Sequence, residues 1–236
     1  MKRKDFVVVT AIFFTLLLCG SAGGYLLSPR YVMERMIQNY RALRSITAVQ
    51  RVEAYGEEAT YPFASVDEKV EILPFLPLKI WVEGKEITSD GKIDPEMNVN
   101  HFLIAAQRRY GFYKDVFMNH EMNLLKILLK RLGIVPVMAR LRLVYPWIAY
   151  QIGAELTAEN LRGLWIDKDR FIPLRLVGTL TKKEEGFPDR EEVDVRYGDY
   201  RLLQEKMWYP FDVKFFVNGK LVMRIRVSSA TLKTYE

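Results

Sequence analysis

The residues most suggestive of chemistry lie in "GLWIDKDRFIPLRLVG", Gly163 to Gly178, where Asp167 and Asp169 flank Lys168 and Arg170 follows. Two carboxylates this close suit a cation or shared acid–base work. A calcium loop, however, needs further oxygen ligands, a central glycine and a terminal glutamate. Here Lys168 and Arg170 interrupt, and Phe171-Ile172 opens a new apolar run. Aspartate is favoured in turns, so the stretch predicts the tip of a β-hairpin with solvated charges. His101 and His120 are the two histidines of the chain. Neither has a His or Cys partner at ligand spacing, and no HExxH pattern occurs. His120 beside Glu121 reads as a pair on the polar face of a helix. Glu184-Glu185 and Glu191-Glu192, around Gly186 and Pro188, read as a charged loop at a strand connection. No GxSxG elbow, Ser-x-x-Lys pair or phosphate-cradling glycine loop is present. These motifs call for no catalysis, metal site or cofactor, and an enzyme stands as the third reading, needing a polar cluster that the fold assembles around His101 or His120.

The N-terminus carries a different message. "MKRKD" is basic, Phe6 to Leu18 is an uncharged apolar run, and small residues follow in "CGSAGG". That order reads as an export signal. The run is short for a bilayer, which needs about 20 apolar residues. Cleavage after Ala22 or Gly24 leaves small residues at the required positions. Retention of Met1 to Leu27 as an anchor is the second reading, and lipidation of Cys19 the third. Cys19 is the one cysteine in the chain. The mature part therefore has no disulfide or thiolate chemistry, which is compatible with the periplasm. The chain carries +6, of which Lys2, Arg3, Lys4 and Asp5 contribute +2. The evenly spread remainder makes nucleic acid a poor partner.

The elements follow from periodicity. Ser28 is a good N-cap and Pro29 fits the first helical position. Val32, Met33, Met36, Ile37, Tyr40 and Leu43 then recur at helical spacing. "SITAVQRVEAYG" is a strand, and "DEKVEILPFLPLKIWVEGKEITSDGK" holds two or three more, with Pro74 and Pro77 marking an edge or kink and Asp90-Gly91 a turn. Asp115 to Gly133 reads as a second helix, apolar around much of its girth, closed by Gly133. From Pro146 the pattern is mostly strand: "WIAYQIGAE", "GLWIDK", "FIPLRLVGTLTK", "REEVDVRYGDYRLLQ". A hairpin turning at Asn218-Gly219 closes the chain. Short turns between successive strands imply an antiparallel sheet with one dry face. With two helices this gives a layered α+β body in a single domain over residues 28–236.

Apolar surface is what the chain has in excess. If the sheet curls without enough side chains to fill it, the concave face becomes an apolar pocket. Helix stripes and inward strand parity nominate Met36, Tyr40, Leu43, Leu125 and Leu128 from the helices. From the strands they nominate Ile80, Val82, Leu164, Ile166, Leu174, Leu176, Phe211, Val213 and Phe215. A solid core is the alternative for the same residues.

Three segments carry a resemblance. "SPRYVMERMIQNYRALRSITAVQRVE" resembles the opening helix and strand of the outer-membrane lipoprotein carrier (LolA-like, lipoprotein-sorting) family. "GLWIDKDRFIPLRL" resembles its hairpin, and "WYPFDVKFFVNGKLVMRIRVSSATL" its closing hairpin. The order agrees over most of the mature chain; Met97 to Tyr145 and the Pro146-Trp147 step match least. The resemblance implies a strongly curved antiparallel sheet, an incomplete β-barrel, with helices covering its concave face. It implies a periplasmic, monomeric carrier of lipoprotein or lipid acyl chains, served by an inner-membrane release complex and an outer-membrane receptor. Arg41 and Arg44 lie where some members carry lid-latching arginines. The rival expectation is a membrane-anchored interaction or stress-sensing domain with a solid core.

Overall fold

The computed structural model describes residues 26–56, 60–74, 76, 78–87, 101–153, 161–181 and 190–235. The export signal with Cys19, Pro77, the Asp90-Gly91 turn and Glu184-Glu185 lie outside the described residues. Helix α1 spans Pro29–Tyr40, its start fixed by the Ser28 side chain, which accepts from the Tyr31 amide. Val32, Met33, Met36, Ile37 and Tyr40 form its buried stripe. The helix ends at Tyr40, and Leu43 already opens strand β1 (Leu43–Ala54). Leu43 is therefore inward on a strand and not the last member of the helical stripe. Arg41 and Arg44 correspondingly lie in the helix C-cap and on β1, off the helix where the resemblance put them.

Three further strands follow: β2 (Ala64–Ile72), β3 (Lys79–Val82) and β4 (Lys85–Ile87). After β5 (Ala139–Val144) come β6 (Trp147–Ile152), β7 (Gly163–Asp167), β8 (Pro173–Leu180), β9 (Glu191–Leu203), β10 (Met207–Val217) and β11 (Lys220–Thr234). All belong to one antiparallel sheet in the order β4-β3-β2-β1-β11-β10-β9-β8-β7-β6-β5. The sheet is strongly curved and does not close, so β4 and β5 are its free edges. The final hairpin turns at Asn218 and Gly219, with φ of 49° and 82°. This is the left-handed geometry that an Asn-Gly turn supplies at little cost.

The topology dictates what covers the sheet. Strand β4 lies at one edge and β5 at the other, so the chain between them must traverse a face. It does so as helix α2 (His101–Tyr110), a 3₁₀ turn (Gly111–Lys114), helix α3 (Asp115–Met118) and helix α4 (Met122–Arg131). The contacts march across the strands in order. Gln107 reaches Glu68 on β2, Tyr113 and Phe117 meet Phe215 and Tyr209 on β10, and the Leu132 carbonyl accepts from the Thr179 amide on β8 at 2.9 Å. Gly178 makes that last approach possible: a Cβ there would sit 2.7 Å from the Leu132 carbonyl oxygen.

This region corrects the sequence expectation in two ways. The single helix from Asp115 to Gly133 is two helices, because Asn119 is extended (ψ 112°) and separates α3 from α4. His120 accordingly lies between helices, its ring edge-on to Tyr235, and not on a polar helix face. Helix α2 and strand β5 were not anticipated. Gly133 does end α4: it adopts φ 68°, and the Ile134 amide donates to Leu129 at 2.8 Å.

Candidate functional site

Helices α2 and α4, the 3₁₀ turn and the β3–β4 edge border an open cavity of about 460 Å³. Leu78, Ile80 and Ile87 form the sheet side; Ile104 and Phe112 come from α2 and the 3₁₀ turn; Leu124, Ile127 and Leu128 come from α4. Leu76 closes one side. The i, i+3, i+4 pattern of α4 places its residues there: Leu124, Ile127, Leu128 and Arg131 share one face of the helix. The remainder of the lining is polar and mostly cationic: Gln107, Arg108, Arg109, Lys114, Asp115, Asn119 and Arg131. A volume of several hundred Å³, apolar walls and a few polar groups are the usual makings of a small-molecule site.

Two ion pairs stiffen its walls. The Arg109 guanidinium donates to Glu191 at 3.0 Å with both side chains 2% exposed. Lys114 meets Asp115 at 2.6 Å. Glu191 is thus a buried anchor for α2 at the start of β9, not part of a charged loop. The Tyr110 hydroxyl reaches the same carboxylate, and burial raises its pKa. Breaking a buried pair strands a charge in low dielectric, so the pair fixes where the lid segment sits.

Beside the cavity lies a buried polar triad. Glu68 accepts from the Gln50 amide at 2.7 Å and from the Gln107 amide at 2.9 Å. Burial raises the Glu68 pKa from 4.5 to about 7, with the two amide donors pulling the other way. The side-chain carbonyl oxygens of Gln50 and Gln107 have no hydrogen-bond partner among the described residues.

The centre of the molecule, by contrast, is filled. The Phe117 ring lies 5.6 Å from Tyr209, 6.0 Å from Tyr40, 6.2 Å from Tyr197 and 6.3 Å from Tyr113. All fourteen apolar residues nominated from the sequence are buried. Ile80 and Leu128 line the cavity; Val82 lies on β3 with Ile80 but is not among the lining residues. Met36, Tyr40, Leu43, Leu125, Leu164, Ile166, Leu174, Leu176, Phe211, Val213 and Phe215 belong to the core cluster and are not among the cavity's lining residues. The periodic burial of Leu103, Ile104, Ala106 and Tyr110 in α2 was a legible signal for the segment that completes the site.

The acidic pair divides. Asp167 is buried and accepts from the amides of Asp169 and Arg170 and from the Arg170 guanidinium. Asp169 is exposed. The stretch is a hairpin turn, as expected, yet Asp167 holds the turn together and is not a solvated charge. His101 opens α2. Among the described residues no three His, Cys, Asp or Glu side chains gather as for a metal.

No family model and no curated protein matches this chain. Solved structures similar to it include the following two. One is a domain named for outer-membrane lipoprotein sorting, from Vibrio parahaemolyticus, at 10% identity over 87% of this chain and 92% of that one, with a TM-score of 0.48. The other is a LolA superfamily protein from Nitrosomonas europaea, at 10% identity over 89% of this chain and 96% of that one, with a TM-score of 0.47. The likeness to both is one of fold.

Proposed function

We propose that this chain is an exported, non-catalytic carrier that shelters an acyl chain of a lipoprotein or lipid in the cavity between the β3–β4 edge and α4. The observation that supports this reading is the cavity itself: it has aliphatic walls from the sheet and from α4, with Arg108 and Arg131 among its polar lining. Each methylene withdrawn from water is worth about 0.8 kcal/mol, so an alkyl chain of ordinary length fills such a space favourably without any covalent step. The aliphatic walls offer no orientation-specific contact, which suits chains of varied length. Residues 1–22 then serve as the export signal, and the carrier works in the periplasm, loaded and unloaded by membrane partners at either side.

The test is native mass spectrometry of protein purified from the periplasm, with titration of a fluorescent fatty acid. The reading expects co-purified lipid or saturable uptake. A clean apo mass with no uptake sinks it. The filled aromatic centre around Phe117 favours a second reading, an interaction domain with a solid core, and that reading expects the clean apo result.

A further inference from the structure

The β5 edge carries a feature that the cavity does not use. Strands β5 and β6 form a hairpin through Tyr145-Pro146, with Leu143 opposite Ile148 and Leu141 opposite Tyr150. By register, Leu141, Leu143, Ile148 and Tyr150 share the inward face of Leu164 and Ile166. Tyr150 is buried, but the apolar face continues past the helices into solvent. Leu143 is 70% exposed and Tyr145, at the tip, 90%; Leu141 and Ile148 are exposed too. The opposite face carries Arg140, Arg142 and Trp147, and the Arg170 guanidinium stacks 4.0 Å over the Trp147 ring. From Gly133 to Gly153 the chain has no Asp or Glu. The neighbouring turn adds Lys168, with Asp169 as the one exposed acid there.

We propose that this hairpin docks on an anionic lipid surface. Leu143, Tyr145 and Ile148 enter the interface, and Arg140 and Arg142 meet the headgroups. An element with one apolar face, one cationic face and aromatic residues at its end is suited to the membrane–water boundary. A second copy of this chain fits less well, because two such edges would bring their arginines together. The N-terminus of α1 lies on the same side. Arg35 stacks over Phe171, Phe171 stacks on Tyr150, and Tyr31 acts electrostatically on Tyr150.

The experiment uses the full chain, because its readout reports the hairpin and not the N-terminal run. Tryptophan quenching by bromine-labelled acyl chains is measured on phosphatidylglycerol vesicles and on phosphatidylcholine vesicles, with wild type, Trp147→Phe, Leu143→Asp/Tyr145→Asp and Arg140→Gln/Arg142→Gln. The expected result is quenching on the anionic vesicles, lost in Trp147→Phe and in the double aspartate variant. Two charges near a lipid surface are worth together about thirtyfold in partitioning, and the double glutamine variant should lose about that. Absence of quenching in wild type overturns the proposal, as does equal quenching on both vesicle types. Concentration-dependent dimerisation that the aspartates abolish, without quenching, assigns the face to a second copy and also overturns it. Circular dichroism of each variant separates docking loss from unfolding.

Discussion

The crossing segment covers the same curved sheet in two ways, and the difference is a matter of side-chain size. Over β9 and β10 it presents Tyr113 and Phe117, which interlock with Tyr40, Tyr197, Tyr209 and Phe215 and leave no room. Over β3 and β4 it presents Gly111, Asn119 and the aliphatic face of α4, and a cavity opens. Inward alternation of strand residues is equally regular in both places. Whether a dry sheet face becomes a solid core or a container is decided by what the opposing layer brings to it. The filled half anchors the lid segment, and the hollow half is left with the space.

The largest effect should come from emptying the filled half. Phe117→Ala removes a fully buried ring with four aromatic neighbours and should cost about 3–5 kcal/mol, read by denaturant unfolding. The comparison predicts more than instability. If the centre is only a scaffold, the folded fraction of this variant retains fatty-acid uptake per molecule. If uptake rises, the new space has become continuous with the cavity, and the two halves are one container divided by a ring.

Next in size is the Glu68 carboxyl, which sits at the boundary between the halves. Its folded pKa of about 7 lies above the ordinary 4.5, so between those values the folded state holds a proton that the unfolded state has released. Stability from this group is therefore full below pH 4.5 and is lost as pH rises towards 7. The shift corresponds to about 3 kcal/mol. The carboxylate formed at higher pH depends on the Gln50 and Gln107 amides. Glu68→Gln should flatten the pH dependence of unfolding across that window. A slope unchanged from wild type would mean that water reaches the triad and that its burial is not maintained in solution.

These contrasts explain what the sequence made legible. The sheet was readable because strand alternation and turn residues are local: Asn218-Gly219 and the parity of Met207 to Val217 each announce themselves within a dozen residues. The fold class followed, since successive short turns leave few topologies. The container was harder to place. Strand parity identified Ile80 as an inward residue, and the helix stripe did so for Leu128, yet the same parity identified Phe215 and Leu176. Nothing within a strand distinguishes an inward residue facing a ring from one facing a void. That distinction rests on Phe117, Asn119 and Leu124, and on the break at Asn119, which an uninterrupted apolar pattern from Asp115 to Gly133 concealed. The Arg109–Glu191 pair was similarly hidden, because its partners are brought together only when α2 crosses the sheet.

A smaller effect is expected at the β7–β8 turn, far from the hollow half. Asp167→Ala removes an acceptor from two backbone amides and a guanidinium and should cost roughly 1–2 kcal/mol. Asp169→Ala should cost almost nothing, since its side chain is exposed. Neither should change fatty-acid affinity. A marked loss of affinity in the Asp167 variant at full foldedness would tie the turn to the site and would require the cavity to extend beneath α1, whose Asn39 amide donates to the Arg170 and Phe171 carbonyls.

The smallest effect on stability should be the most informative about function. Ile127 lines the cavity from α4, yet it is 56% exposed. Ile127→Glu therefore withdraws little from the core and should shift unfolding by no more than about 0.5 kcal/mol. The carboxylate would stand at the mouth of the aliphatic space, and an alkyl chain entering there would strip its water. The expectation is a clear fall in fatty-acid uptake with an unchanged melting temperature, whereas Ile127→Met should bind as wild type does. Uptake that survives the charge would place the ligand elsewhere. It would then be the filled half, opening on demand, that does the carrying.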